Sequence, residues 1–157
     1  MSESAFSVVD AESPGALGAL TAYFQELSER FPEGFDATAA LEDAADAYNL
    51  PRGVFVVAGD VNRPIACGAV AFFNERAEIK RMWVSPACRG RGLASRLLSF
   101  LERFIMESGR TTALLDTNRV LIEAVALYQR RGYEPVERYN DNPYAHHWFS
   151  KALTSDN

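Results

Sequence analysis

The chain has 157 residues, 48% of them hydrophobic and 24% charged, with a net charge of -5. These proportions fit a globular protein; the acidic balance argues against a general nucleic-acid binder, and the short apolar runs exclude a membrane-spanning helix. Two cysteines, Cys67 and Cys88, and two histidines are too few for a disulfide framework or a zinc site. A single domain over residues 1–157 in a reducing cytoplasm, without a metal, is therefore expected. The opening "MSESAFSVVD" has no basic start and no long apolar core, so no signal peptide is expected.

In chain order, residues 6–10 read as a strand. The stretch 13–30 reads as a helix with Ser13 as its cap, Pro14 in its first turn and an apolar stripe of Leu17, Leu20, Phe24 and Leu27. A second helix is expected over "DATAALEDAADAY", capped by Asp36. "GVFVVAGD" and "PIACGAVAFFN" read as a strand hairpin, and "RAEIKRMWVSP" as a third strand stopped by Pro86. "GLASRLLSFLERFIMES" is strongly amphipathic, with Leu93, Leu97, Leu101 and Phe104 on one stripe and Gly109 as its stop. A strand at "TTALLDT", a helix over "RVLIEAVALYQRR" ended by Gly132, and strands at "YEPVERY" and "AHHWFSKAL" complete the chain. The order β-α-α-β-β-β-α-β-α-β-β predicts a mixed α/β fold, an antiparallel meander followed by a β-α-β unit.

Charge is segregated along the chain. Residues 1–60 hold eleven acids and two arginines, whereas residues 61–110 hold nine basic residues and four acids. The basic segment contains "VSPACRGRGLASRLL", where a strand feeds a helix through two glycines. The first four N–H groups of a helix have no internal partner and add to the positive end of its dipole. Gly90 and Gly92 would let a ligand approach that backbone, and Arg89 and Arg91 add charge, so the junction is a candidate phosphate cradle. A phosphate-binding loop ending in Gly-Lys-Ser/Thr is absent, and the dinucleotide pattern beginning at Gly90 fails at Ser95.

"RGRGLA" fits the pattern Gln/Arg-x-x-Gly-x-Gly/Ala, and Ala124, Leu127, Tyr128, Gly132 and Tyr133 fit Ala-x-x-Leu-Tyr-x-x-x-Gly-Tyr/Phe. With both motifs over residues 53–136, the chain resembles the GNAT superfamily of acyl-coenzyme-A-dependent N-acyltransferases. The resemblance implies a mostly antiparallel sheet with one splayed parallel strand pair. It implies acetyl-CoA as co-substrate, its diphosphate on the backbone of Arg89, Gly90, Arg91, Gly92, Leu93, Ala94 and Ser95. It places the pantetheine arm along Met82, Trp83 and Val84, with Asn118 and Tyr128 near its end. Asn118 reads equally well as a helix cap.

The implied reaction, acyl transfer from a thioester to an amine, needs a group to take the amine proton and one to protonate the departing sulfur. Tyr128 is the candidate acid. Glu78 is the candidate base; strict alternation would put 78, 80, 82 and 84 on one face, with Glu78 upstream of the cofactor positions. Its alternative is an ion pair with Lys80 or Arg81. His146 and His147 compete as bases, and Cys88 lacks the adjacent base that a covalent route needs. Glu33, Asp36, Glu42, Asp43 and Asp46 suggest a cationic acceptor, and Tyr139, Tyr144 and Trp148 an aromatic wall. A small primary amine and acetyl-CoA are the expected partners, without nucleic acid or membrane and with room for a homodimer. The alternatives are acetylation of a protein lysine, a protein N-terminus or an aminoglycoside, and a non-catalytic coenzyme-A sensor.

Overall fold

A computed structural model describes residues 5–37, 39–40 and 46–154. Its elements are β1 (Phe6–Val9), α1 (Pro14–Arg30), β2 (Gly53–Ala58), β3 (Ala66–Phe73), β4 (Arg76–Val84), α2 (Leu93–Glu107), β5 (Thr112–Thr117), α3 (Ile122–Arg130), β6 (Glu134–Pro135) and β7 (His147–Ala152), with short 3₁₀ turns at Asp46–Tyr48 and Pro86–Cys88. The strands form one sheet in the order β1-β2-β3-β4-β5-β7-β6. Every neighbouring pair is antiparallel except β4 and β5.

Helix α1 starts as its sequence dictates: Pro14 occupies the first turn and the Ser13 side chain accepts from the Ala16 N–H. Its buried stripe, including Leu20, Phe24 and Leu27, packs on the face of the sheet that carries Phe55, Val57 and Ala69. The stripe of α2, Leu93, Leu97, Leu98, Leu101 and Ile105, packs on the opposite face against Val54, Val56, Val70 and Ile79, and α3 joins it through Leu127 and Tyr128. With both faces covered, every residue of β2 is buried. Of the second helix predicted over 36–48, residues 38 and 41–45 lie outside the described residues, and its end is a 3₁₀ turn at Asp46–Tyr48. At its start, Asp36 Oδ1 does accept from the Ala39 N–H at 3.0 Å.

Two departures from the predicted elements shape the site. Strands β4 and β5 pair only over Arg76–Thr112, Ala77–Ala113 and Glu78–Leu114, then diverge. Within β4, Arg81 takes a left-handed φ of 61°, and the register with β3 slips between Cys67 and Ala69. Lys80 faces Ala69 and Trp83 faces Cys67 across the ladder, so Trp83, not Met82, shares a face with Glu78 and Lys80. Met82 and Val84 turn to the α2 side. This corrects the expectation from strict alternation. The predicted closing strand 133–139 shrinks to Glu134–Pro135, followed by a single further bond to β7 from the Val136 N–H to Trp148 O at 2.8 Å.

Candidate active site

The divergence of β4 from β5 opens the sheet, and two cavities meet there. One, of about 460 Å³, runs from the end of β4 past Cys88 to Gly90, Gly92 and Ser95. The other, of about 650 Å³, lies between α1, the open edges of β4 and β5, and the segment around Tyr144. Tyr23, Leu27, Met82, Leu121, Ala124 and Tyr128 line both, so they form the junction.

The smaller cavity opens on the glycine junction ahead of α2. Gly90 and Gly92 have φ of 84° and 76°, and Gly92 is the N-cap of α2 with no side chain capping the helix. A Cβ on Gly90 would meet nothing within 4 Å, so the glycines serve backbone conformation and access for a ligand rather than packing. Leu93, Ala94 and Ser95 of the first turn line the cavity, and the first N–H groups of a helix have no intrahelical partner. Arg89 lines the cavity, but its guanidinium is committed: Nε donates to the Val84 carbonyl at 2.9 Å and Nη2 to Glu26 at 2.6 Å. Arg91 is exposed and does not line the cavity; its carbonyl accepts from Arg96. Arg130 also lines the cavity, so positive charge there comes from that side chain together with the backbone and the α2 dipole.

Met82, Trp83 and Val84 line the same cavity. The Ser85 N–H donates to Ile65 O at 2.8 Å, which makes Val84, opposite Ala66, a position that is not hydrogen-bonded to β3. Its N–H and C=O point away from β3, toward the opening. Arg89 takes the carbonyl.

Asn118 lies elsewhere. It is buried in the wall of the larger cavity, where its Nδ2 donates to Tyr144 O at 2.6 Å and its Oδ1 accepts from the Val120 N–H. The cap of α3 is Leu121, so Asn118 holds the turn before the helix rather than capping it.

At the closed end of the opening sits a polar cluster. Glu78 is buried, with its Oε2 3.4 Å from Lys80 Nζ and accepting from Asn140 Nδ2 at 3.1 Å. Burial pushes its carboxyl above the usual carboxylate range, against the opposing pull of the Lys80 ammonium. Of its two predicted ion-pair partners it therefore finds Lys80, not Arg81. Asp116, which the sequence reading missed, accepts from Asn140 at 2.7 Å and Asn142 at 3.2 Å and lies 3.9 Å from Lys80. Asp116 and Lys80 line the larger cavity; Glu78 stands behind them. Asp116 and Asn140 were missed because neither sits in a motif; 24 residues separate them.

Tyr128 is buried at the junction, and among the described residues its hydroxyl has no hydrogen-bond partner. Burial drives its phenol well above the ordinary tyrosine value, and Tyr23 across the junction is shifted the same way for the same reason. Both remain protonated donors throughout the neutral range. Tyr23 carried no motif to mark it.

The other candidates fall outside. His146 is exposed and accepts from the Arg119 N–H, and His147 packs beside Phe149; neither lines either of the two cavities. Of the expected aromatic wall only Tyr144 faces the larger cavity, joined there by Phe31 and Phe35. Of the acids expected to favour a cationic acceptor, Asp36 lines it and Glu33 is exposed and lines neither cavity; Glu42, Asp43 and the Asp46 side chain lie outside the described residues. No group of three or more potential metal ligands occurs among the described residues. No helix among them is long and apolar enough to cross a membrane.

Comparison with known proteins agrees with this architecture. The chain is 33% identical over 99 residues to an uncharacterized N-acetyltransferase of Schizosaccharomyces pombe, covering 61% of each protein. It is 33% identical over 94 residues to an IAA acetyltransferase of Azospirillum brasilense, covering 57% of this chain and 61% of that one. The chain thus spans about three fifths of the length of these curated relatives. Among solved structures, an acetyltransferase of the GNAT family from Staphylococcus aureus superposes with a TM-score of 0.80 at 16% identity, over 96% of this chain and all of that one. The PaiA N-acetyltransferase of Thermoplasma acidophilum, solved in complex with coenzyme A, superposes with a TM-score of 0.72 at 12% identity, over 95% and 99% of the two chains. Residues 20–133 match the family model for the acetyltransferase (GNAT) family, which with the splayed β4–β5 pair and the glycine-formed N-terminus of α2 establishes that the chain belongs to it.

Proposed function

We propose that this protein is an N-acetyltransferase that moves the acetyl group of acetyl-CoA directly to a primary amine of a small molecule. The observation that carries this reading is the meeting of two cavities at Tyr128, one walled by the start of α2 and the other by charged and aromatic side chains. Backbone N–H groups from Gly92 to Ser95 would hold the diphosphate, and the Val84 N–H would hold the arm that leads to the junction. The thioester supplies an activated acyl carbon: the amine nitrogen bonds to it as the carbon–sulfur bond breaks. Glu78, acting through the Lys80–Asp116–Asn140 cluster or an intervening water, takes the proton that the amine loses. Tyr128 gives a proton to the sulfur. An acceptor cavity of about 650 Å³ is of a size that suits a small molecule.

The test is a panel of amines scored for acetyl-CoA-dependent thiol release. Release with at least one small primary amine, well above the rate without amine, supports the reading. Acetyl-CoA binding without release for any amine would favour a coenzyme-A sensor, and no binding at millimolar concentration would overturn the ligand assignment.

A further inference from the structure

Two cations line the larger cavity, and they stand in opposite situations. Lys80 is neutralised by Glu78 and Asp116. Arg81, the next residue, has no carboxylate within ion-pair distance among the described residues, and its Nε is buried without a hydrogen-bond partner. Consecutive strand residues ordinarily point to opposite faces. Here the left-handed backbone at Arg81 turns both side chains to the α1 side. The Arg81 guanidinium carbon then lies 5.0 Å from the Phe24 ring centroid and 5.9 Å from that of Tyr48. Aromatic contacts hold the flat group in place without using its N–H donors.

A half-buried guanidinium whose Nε is shut away from water and which lacks an anionic partner is unfavourable unless a ligand supplies the partner. A left-handed backbone at a non-glycine residue is a second unfavourable feature at the same position, and such features collect at functional sites. We propose that Arg81 binds a carboxylate of the acceptor, and that the acceptor is therefore a carboxylate-bearing primary amine of the amino-acid class. This rests on the acetyltransferase reading and deepens it. The charges in the wall, together with Glu78 directly behind it, match such a zwitterion. Glu78 and Asp116 outnumber Lys80 by one negative charge at the end where the amine would lose its proton. Arg81 supplies one positive charge next to it. A single guanidinium offers a planar, two-point match to a monoanionic carboxylate. The cationic acceptor expected from the acidic first third keeps its ammonium in this reading and gains an anionic group.

Thiol release with acetyl-CoA should be measured for L-α-amino acids alongside the matching amino-acid amides and the amines lacking the carboxylate. At least one amino acid should exceed its amide in kcat/KM by roughly 10- to 100-fold, the range for a charge-assisted contact. In Arg81→Gln that preference should collapse, mainly through KM for the carboxylate acceptor, and Arg81→Lys should keep part of it. Acetyl-CoA affinity by calorimetry, and far-ultraviolet circular dichroism, should stay as in the parent and so exclude a folding defect. Equal rates for amides and amino acids overturn the assignment, as does an equal loss for both in a folded Arg81→Gln. Acetyl-CoA turnover confined to amines without a carboxylate overturns it while leaving the acetyltransferase reading standing. Failure to bind acetyl-CoA overturns both.

Discussion

Tyr128 and Glu78 have environments that push their pKa values in the same direction for different uses. A phenol at the junction stays protonated at neutral pH because burial disfavours the phenolate, which suits a donor to a departing sulfur. Tyr128→Phe keeps the ring contacts with Tyr133 and Phe149 and removes only the hydroxyl. The expected result is a fall in kcat of roughly 10²-fold with acetyl-CoA affinity nearly unchanged, because the donor acts once charge has developed on sulfur. Tyr23→Phe is the comparison, and if it alone lowers kcat, the acid is Tyr23. For Glu78 the raised pKa moves the acid limb of kcat/KM above the ordinary carboxylate range, since the base works only when deprotonated. The deficit of Glu78→Gln should be largest between that limb and the pKa of the acceptor amine. Below the window the parent has lost its base too, and above it the amine needs none. A pH profile checks this. A deficit constant with pH would make Glu78 a positioning residue, and a windowed deficit in Asp116→Asn instead would move the role to Asp116. Of these residues, Tyr128 was legible from its motif and Glu78 from its place on β4. Asp116, Asn140, Tyr23 and Arg81 were not, because their proximity is produced by folding.

The strand–loop–helix unit from β4 to α2 was the most legible element, since Pro86, Gly90, Gly92 and the leucine stripe mark its boundaries locally. The bulge at Arg81 inside β4 was not legible, as no glycine, asparagine or aspartate stands there to signal a left-handed residue. Its effect was large: one slipped residue reversed the faces of Met82 and Val84. The start of α3 was misplaced for a related reason, because the Asn118 side chain folds back on Val120 and delays the helix to Ile122. The glycine cradle can be tested by separating conformation from charge. Gly92→Ala forces a Cβ into a left-handed position, with the Arg96 side chain 3.4 Å away, and should cost about 1 kcal/mol of stability with weakened acetyl-CoA binding. Gly92→Asp should be no less stable than Gly92→Ala, since Asp tolerates this conformation better and is favoured near a helix N-terminus. It should nevertheless abolish acetyl-CoA binding, because its carboxylate occupies and repels the diphosphate position. Calorimetry beside a thermal melt distinguishes the two effects. Retained binding in Gly92→Asp would place the anion elsewhere.

At the scale of the whole molecule, element order and fold class could be read from periodicity and motifs, but the way the parts close around the site could not. Helix α1 is tied to the rest by Arg89–Glu26 and by Arg30–Glu123, contacts that span 63 and 93 residues of sequence. These ties bring Tyr23 to the junction and give both cavities their α1 wall. Residues of α1, β4, α2 and α3 therefore all border the smaller cavity. A ligand seated there touches four elements, so it binds the folded chain and has no site on the unfolded one. Such a ligand raises stability by about 2.7 kcal/mol at one hundred times its dissociation constant. For a chain of this size each kcal/mol moves Tm by roughly 2–4 °C, so acetyl-CoA at that level should raise Tm by roughly 5–10 °C. NAD(P) at the same concentration should not, because the dinucleotide glycine pattern fails at Ser95. Gly92→Asp should lose the shift while melting as a folded protein. A melt unaffected by acetyl-CoA, or raised equally by NAD(P), would show that the cavity at the start of α2 does not select coenzyme A.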